Sequence, residues 1–382
     1  MMRPMKLAGS ELMFGAESLE YIKTIKARRV IIVTGGSSME KNGVLGKIEG
    51  YFSSTGAVTG VIKGVEPDPT FQTVMRGTTE MLDFEPDLIV GLGGGSAMDA
   101  AKAMWVFYEH PELKSIEELI TMKEFPKLRK KARLCCIPST SGTASEVSRS
   151  IVISDNETGM KHGLGNMEMM PDIAICDPDV TVSMPSKITA ETGMDALTHA
   201  LEALVSKRAN YISDLLATQA ALDIITYLPR AYRDGSDIEA REKMLLASMT
   251  AGMAFTNVSL GIVHSMAHTI GSFFHVAHGL ADAVLLPHII GFNSADGRSR
   301  RIYRQLAGKA GVNDLERGVI ELNRILDIPE GFAGVISDRK TYMNRIPEMA
   351  ETALADGCTK TNPIIPSISE IEELFRNVYK GE

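Results

Sequence analysis

The stretch DLIVGLGGGSAMDAAK (87–102) decides the fold. A short apolar run ends in glycines at 91, 93, 94 and 95, then opens an alanine-rich stretch, which predicts a buried strand, a tight turn and a helix. Glycines at a strand's carboxyl end let the backbone approach a ligand without Cβ clashes, and a helix beginning near Ser96 aims free N–H groups at an anion such as a pyrophosphate. The spacing departs from GxGxxG, because Ser96 stands where the third glycine would be. Ser96 and Asp99 also fit an N-cap and N3 pair, and Asp99 is assigned that capping role because a carboxylate facing a pyrophosphate would repel it.

Outward from this stretch the same grammar repeats. VIIVTGG (30–36), AVTGVIKG (57–64), RLCCIPST (133–140) and DIAICDP (172–178) alternate with helical patterns at 71–82 and 97–109, predicting a doubly wound, mostly parallel α/β sheet. ISDNETGMKHGL (153–164) predicts a hairpin, with Asn156 to Gly159 as its turn. After Met184-Pro185 strand signals nearly vanish, and Ala/Leu/Met-rich stretches at 194–206, 211–227, 238–255 and 315–326 carry helical spacing. The expected domains are an α/β unit over 1–184 and an all-α unit over 185–382, with most of the 22 methionines as core filler.

Composition narrows the function. The 382 residues carry a net charge of −8, which excludes a broad basic face for nucleic acid, and the cluster Lys127, Arg129, Lys130, Lys131, Arg133 reads as a solvated face. Four cysteines without CxxC spacing read as buried thiols of a reducing compartment. No apolar run approaches ~18 residues and the N-terminus has no long apolar core, so the expectation is a cytoplasmic protein with no membrane partner.

A second small-residue string, IPSTSGTASE (137–146), places the hydroxyls of Thr140, Ser141 and Thr143 around Gly142 at another strand end, the edge where open α/β sheets bind ligands. In the helical half, Asp195 and His199 lie four apart on one helix face, and His264, His268, His275, His278 and His288 crowd one short apolar stretch. So many imidazoles in apolar surroundings need partners, and a shared divalent cation satisfies several at once.

Taken together, EPDPT (66–70), GLGGGSAMDAAK (91–102), IPSTSGTASEVS (137–148), DPDVTVSMP (177–185), GMDALTHALEA (193–203) and VHSMAHTIGSFFHVAHGLADAVLLPH (263–288) resemble the iron-containing (group III) alcohol dehydrogenase family along nearly the whole chain. The resemblance implies a dehydroquinate-synthase-like architecture, with a dinucleotide-binding α/β domain, a helical metal-binding domain and the site in the cleft between them. It implies metal ligands at Asp195, His199, His264 and His278, and a cleft histidine at His268 beside nicotinamide and substrate. The implied cofactor positions are Asp68, Gly94, Gly95 and Ser96, then Thr140, Ser141, Gly142 and Thr143, and Lys161 after the hairpin turn.

The implied reaction is metal-dependent oxidation of a small alcohol, or reduction of its aldehyde. A Lewis-acidic ion stabilises the alkoxide that gives hydride to the nicotinamide, and His268 relays the proton. Imidazole suits Fe²⁺ and Zn²⁺ alike, and family resemblance makes Fe²⁺ the first choice. NAD-specific members carry an Asp just after the first strand, whereas this chain has Gly35 there; Gly35, Gly36 and Ser37 can donate to a 2′-phosphate, so NADP(H) is expected in preference to NAD(H). Glu40 is the nearby acid able to replace the missing one. A homo-oligomer, dimer or larger, is also implied. The alternatives are a glycerol or polyol dehydrogenase, a maleylacetate-reductase-like relative, and a non-catalytic nucleotide- and metal-binding protein; the intact set of site residues disfavours the last.

Overall fold

The computed structural model describes residues 4–155 and 161–381. The chain divides into two compact units, Met1–Met184 and Pro185–Glu382.

The first unit is built on a six-stranded sheet in the order β1-β8-β5-β4-β2-β3. Its strands are β1 (Glu11–Phe14), β2 (Arg29–Thr34), β3 (Val58–Ile62), β4 (Leu88–Gly93), β5 (Arg133–Pro138) and β8 (Ile173–Cys176). Every pairing is parallel. The central strands are apolar throughout because both faces are covered. Ile31, Val33 and Ile89 face one core, with Trp105 and Phe107 of the Gly95–Glu109 helix and Val74 and Met81 of the Phe71–Phe84 helix. The alternate residues Val30, Ile32, Val90 and Leu92 face the other, with Leu45, Ile48 and Phe52 of the Val44–Ser54 helix. Going from β2 the chain moves to β3 on one side and to β4 on the other, so the carboxyl ends of β2 and β4 flank the topological switch where open sheets hold ligands.

Two strands form a separate antiparallel pair, β6 (Ser150–Ser154) and β7 (Lys161–Gly165), as the hairpin reading predicts; the turn at Asn156 to Gly159 lies outside the described residues. Strand β1 is an addition. It has four residues, lies at the sheet edge beside β8 and leaves Phe14 exposed, so it carries none of the buried-strand signal of its neighbours.

The basic cluster is not simply a solvated face. Arg129 adopts a left-handed φ of 74°, lies over the Trp105 ring, and bonds Asp172 and the Glu168 and Met170 carbonyls. Lys131 lies over Tyr108 and donates to its carbonyl. The apolar stems and aromatic surfaces of the neighbouring helix give these cations a packing role that charge patterning does not show.

The second unit is helical. Its long elements are Ser186–Val205, Tyr211–Arg233, Ile238–Val258, Ile262–Phe274, His278–Asn293, Gly297–Ala310, Leu315–Ile325, Arg339–Ala355 and Ile368–Lys380. The first begins directly after Pro185, earlier than the 194–206 pattern predicts, and the second continues through Pro229 past the predicted end at 227. No single helix among the described residues is long and apolar enough to cross a membrane.

Candidate functional site

Each unit carries a candidate site of its own. In the first, the glycine string and the Ser/Thr string sit on adjacent strands, since β4 pairs with β5 from Leu88 opposite Arg133 to Gly93 opposite Pro138. Gly93 has a φ of 145°, open only to glycine without strain, and its carbonyl accepts the Ser139 N–H at 2.9 Å. A Cβ on Gly95 would stand 2.7 Å from Thr143 Cγ2, and one on Gly94 would stand 3.4 Å from Thr140 Cγ2. The structure thus brings Gly94 beside Thr140 and Gly95 beside Thr143. Ser141 is buried with its hydroxyl unpartnered, in the same loop.

The capping assignment is corrected. The N-cap is Gly94, which offers no side-chain cap to the first helical N–H groups. Asp99 instead accepts bonds from Ser145 Oγ at 2.6 Å and Val152 N–H at 3.0 Å, tying the helix to the second loop and to β6. Beneath it Lys102 is wholly buried and donates to the Ser148 and Ser150 carbonyls. Burial raises Asp99, lowers Lys102, and pushes Glu146 up to about 7. Asp99 and Lys102 tie the loop pair together; the sequence analysis assigns a role only to Asp99, and a different one.

The remaining nucleotide positions cluster near the same edge. Glu66 accepts from Thr70 N–H, Thr70 Oγ1 and Thr73 Oγ1 and so closes the EPDPT turn, where Asp68 has a left-handed φ of 54°. Ser154 N–H donates to Pro69 O, which fastens the hairpin to that turn and brings Lys161 to 2.8 Å from Asp68. Gly35 and Gly36 follow β2, and Ser37 precedes a short helix, Ser38–Lys41. Glu40 pairs with Lys63 at 2.9 Å.

In the second unit the Ser186–Val205 helix presents Asp195 and, one turn on, His199. His264 lies in the first turn of Ile262–Phe274, and His278 is the first residue of the next helix. Gly279 makes this approach feasible: a Cβ there would lie 2.2 Å from the Glu191 carbonyl oxygen. The Nε2 atoms of His199, His264 and His278 stand 3.5, 3.7 and 3.8 Å from Asp195 Oδ1. His199 is stacked between Phe255 and His264, which fixes its ring. Each of the three imidazoles therefore approaches Asp195 Oδ1, and one ligand atom each from Asp195, His264 and His278 lies within 4.8 Å of the others, a group that His199 does not join.

The point is electrostatically unfinished. Asp195 Oδ1 and His264 Nε2 are buried without hydrogen-bond partners. Buried polar atoms are normally satisfied, and this pair of unbonded atoms beside two further imidazoles fits a divalent cation. Burial pushes Asp195 upward, but the facing imidazoles of His199, His264 and His278 hold its carboxyl well below the usual range. Burial drives His278 well below the ordinary histidine value, which favours its neutral form.

Three carboxylates near this point were not found from sequence. Glu202 accepts His264 Nδ1–H at 2.7 Å and also the N–H groups of Gly261 and Val263, leaving Nε2 of His264 toward Asp195. Asp282, one turn after His278, is wholly buried, and burial raises its carboxyl well above the usual range. Asp356 accepts from His268 Nδ1 at 2.8 Å and from Cys358 N–H at 2.7 Å. Burial pushes Asp356 up, but the His268 bond prevails and holds it low. His268 itself stacks 5.2 Å from His278 and is part exposed. His275 has a left-handed φ of 55° and ends its helix, a structural role.

Residues 9–178 match the family described as "Iron-containing alcohol dehydrogenase", and residues 189–379 match "Fe-containing alcohol dehydrogenase family, C-terminal". The chain is 43% identical to the NADPH-dependent butanol dehydrogenase of Clostridium saccharobutylicum, over 97% of both proteins. It is 38% identical to 1-propanol dehydrogenase PduQ of Citrobacter freundii, over 97% of this chain and 98% of that one. Among solved structures, the iron-containing alcohol dehydrogenase of Thermococcus thioreducens superposes with a TM-score of 0.92 at 34% identity, covering 100% of both chains. With both halves matched in order and the relatives aligned nearly end to end, the chain belongs to the iron-containing alcohol dehydrogenase family and is an oxidoreductase of that kind.

Proposed function

We propose that the protein is an Fe²⁺-dependent, NADP(H)-preferring dehydrogenase of small primary alcohols, acting also as a reductase of their aldehydes. The observation that carries this reading is the convergence of three imidazole Nε2 atoms on Asp195 Oδ1 at 3.5 to 3.8 Å, with Asp195 Oδ1 and His264 Nε2 buried and unbonded. Asp195, His199, His264 and His278 fit a divalent cation, which when bound supplies Lewis acidity toward an alcohol or carbonyl oxygen. Glu202 holds His264 in the tautomer whose Nε2 lone pair is available. Asp356 does the same for His268, leaving Nε2 of a part-exposed imidazole to pass a proton between substrate and water.

In the first unit the N–H groups at Gly95 and Ser96 suit the pyrophosphate, and the Thr140–Thr143 loop suits the neighbouring ribose and nicotinamide. Asp68 and Lys161 complete the nucleotide set as a fixed pair. Gly35, Gly36 and Ser37 leave room and donors for a 2′-phosphate, in keeping with the NADPH dependence named for the butanol dehydrogenase relative. We further assign the chain to a homo-oligomer of the cytoplasm, where its four free thiols are chemically at home. The deciding experiment is a panel of alcohols, diols and aldehydes run with both cofactors on Fe²⁺-loaded protein. Turnover of butanal or propanal with NADPH, faster than with NADH, is expected; absence of turnover across the panel defeats the reading.

A further inference from the structure

Asp282 follows His278 by one helical turn, the same i, i+4 spacing that joins Asp195 to His199. Its side chain is 0% exposed and neither carboxylate oxygen has a hydrogen-bond partner. Oδ2 lies 3.2 Å from His278 Nε2, and one ligand atom each from Asp195, His264, His278 and Asp282 fall within 4.8 Å of one another.

Two carboxylates beside two imidazoles of this cluster behave differently. Glu202 takes the far nitrogen of His264, Nδ1, and is saturated by two further N–H donors, so it orients its histidine from behind. Asp282 faces Nε2 of His278, the nitrogen turned toward Asp195, and is saturated by nothing. It cannot act as the outer partner of a histidine whose Nε2 is itself a ligand. Spacing agrees with a direct role. Metal bonds of ~2.1 Å set neighbouring donors ~3.0 Å apart at right angles and ~3.4 Å apart in a tetrahedron. The Asp282–His278 separation of 3.2 Å lies inside that range, and the other donors stand slightly beyond it at 3.5 to 3.8 Å.

We propose that Asp282 is a fifth donor to the divalent cation, giving a site of three imidazoles and two carboxylates. The inference rests on reading Asp195, His199, His264 and His278 as metal ligands. Two carboxylates balance the charge of a divalent ion, and the added hard oxygen donor favours Fe²⁺ relative to softer competitors.

The test is metal affinity rather than turnover. Full-length metal-free protein is titrated anaerobically with Fe²⁺, and separately with Zn²⁺, in competition with a chelating dye. Asp282→Asn keeps the side-chain volume and Asp282→Ala removes the donor without burying an amide; whichever folds by circular dichroism should bind Fe²⁺ at least ~10-fold more weakly than wild type, with a smaller loss for Zn²⁺. Wild-type Fe²⁺ affinity in either folded variant overturns the proposal. His264→Ala separates the two levels: if it loses the metal and the Asp282 variants do not, only the fifth donor fails, and if it binds like wild type the whole ligand assignment fails.

Discussion

The nucleotide edge of the first unit and the donor cluster of the second are organised on opposite principles. The glycine and Ser/Thr loops are knit together by their own bonds: Gly93 O accepts Ser139 N–H, Asp99 accepts Ser145 and Val152, and Lys102 is held by two carbonyls. What they offer a ligand is backbone and space. The donor cluster offers charge, and it leaves Asp195 Oδ1, His264 Nε2 and both Asp282 oxygens buried and unbonded. The first site is held mainly by its own bonds, with Ser141 Oγ and Glu146 Oε1 as exceptions, whereas the second gathers its unbonded atoms at one cluster of donors. Loss of ligand should therefore cost the second unit stability and leave the first nearly untouched.

The largest effect expected from breaking this contrast is His264→Ala. On the proposed ligand set, removing an imidazole whose Nε2 faces Asp195 and whose Nδ1 is fixed by Glu202 should eliminate metal binding and lower kcat/KM by at least ~10³-fold. Trp105 is the only tryptophan and lies in the core of the first unit, so its fluorescence-detected unfolding should stay at the wild-type midpoint. A variant that keeps both metal and activity removes His264 from the ligand set.

The second effect belongs to the first unit alone. Burial pushes Glu146 up to about 7 from 4.5, and Oε1 has no partner. A carboxyl whose folded value is raised contributes its stability fully below its unfolded value and loses it as pH rises through about 7. Wild type should therefore lose ~3 kcal/mol between pH ~4.5 and ~7, a loss that Glu146→Gln should not show. Denaturant unfolding followed through Trp105 measures it; parallel pH profiles for the two proteins would refute the assignment.

Somewhat smaller is Gly93→Ala. A φ of 145° is strained for any side chain, and the new Cβ would meet Ala97 Cβ at 2.9 Å. A cost of ~2 kcal/mol in the same Trp105 assay is expected, together with weaker cofactor binding. An unshifted midpoint would mean that the turn relaxes freely, and the idea of a preformed edge would go with it.

How legible these two regions are in sequence follows from the same contrast. The first unit's sheet is written in runs such as VIIVTGG and DLIVGLGGG, because a strand covered on both faces must be apolar throughout. β1 escapes, since four residues at an exposed edge need no such run. The clustered histidines are legible because imidazoles in an apolar stretch are conspicuous. Their carboxylate partners are not. Asp356 meets His268 across 88 residues, a contact that no local pattern encodes, and Glu202 reads as an ordinary helix acid until Gly261 and Val263 arrive opposite it. Asp282 did carry a signal, the i, i+4 step from His278 in an otherwise apolar helix, identical to the one that marks Asp195 and His199. Asp99 was misassigned because the helix is capped two residues earlier, by Gly94 rather than Ser96, which leaves no hydroxyl for a capping box.

The smallest expected effect tests whether the nucleotide edge selects its ligand by space alone. Gly35 has no left-handed φ, and a Cβ there would have a single close neighbour, the Val65 carbonyl oxygen at 3.3 Å, so Gly35→Asp needs only a slight local shift. An acid at that position repels a 2′-phosphate and accepts from a ribose hydroxyl, and the NADP-to-NAD ratio of kcat/KM should fall ~10-fold or more. Glu40 is the rival for the same role. It is paired with Lys63 at 2.9 Å with both side chains about half exposed, a pair too solvated to hold either group firmly. If Glu40 already serves as the ribose acceptor, Glu40→Gln will raise the ratio and Gly35→Asp will barely change it. If Gly35 is the determinant, the ratio follows Gly35→Asp and ignores Glu40→Gln.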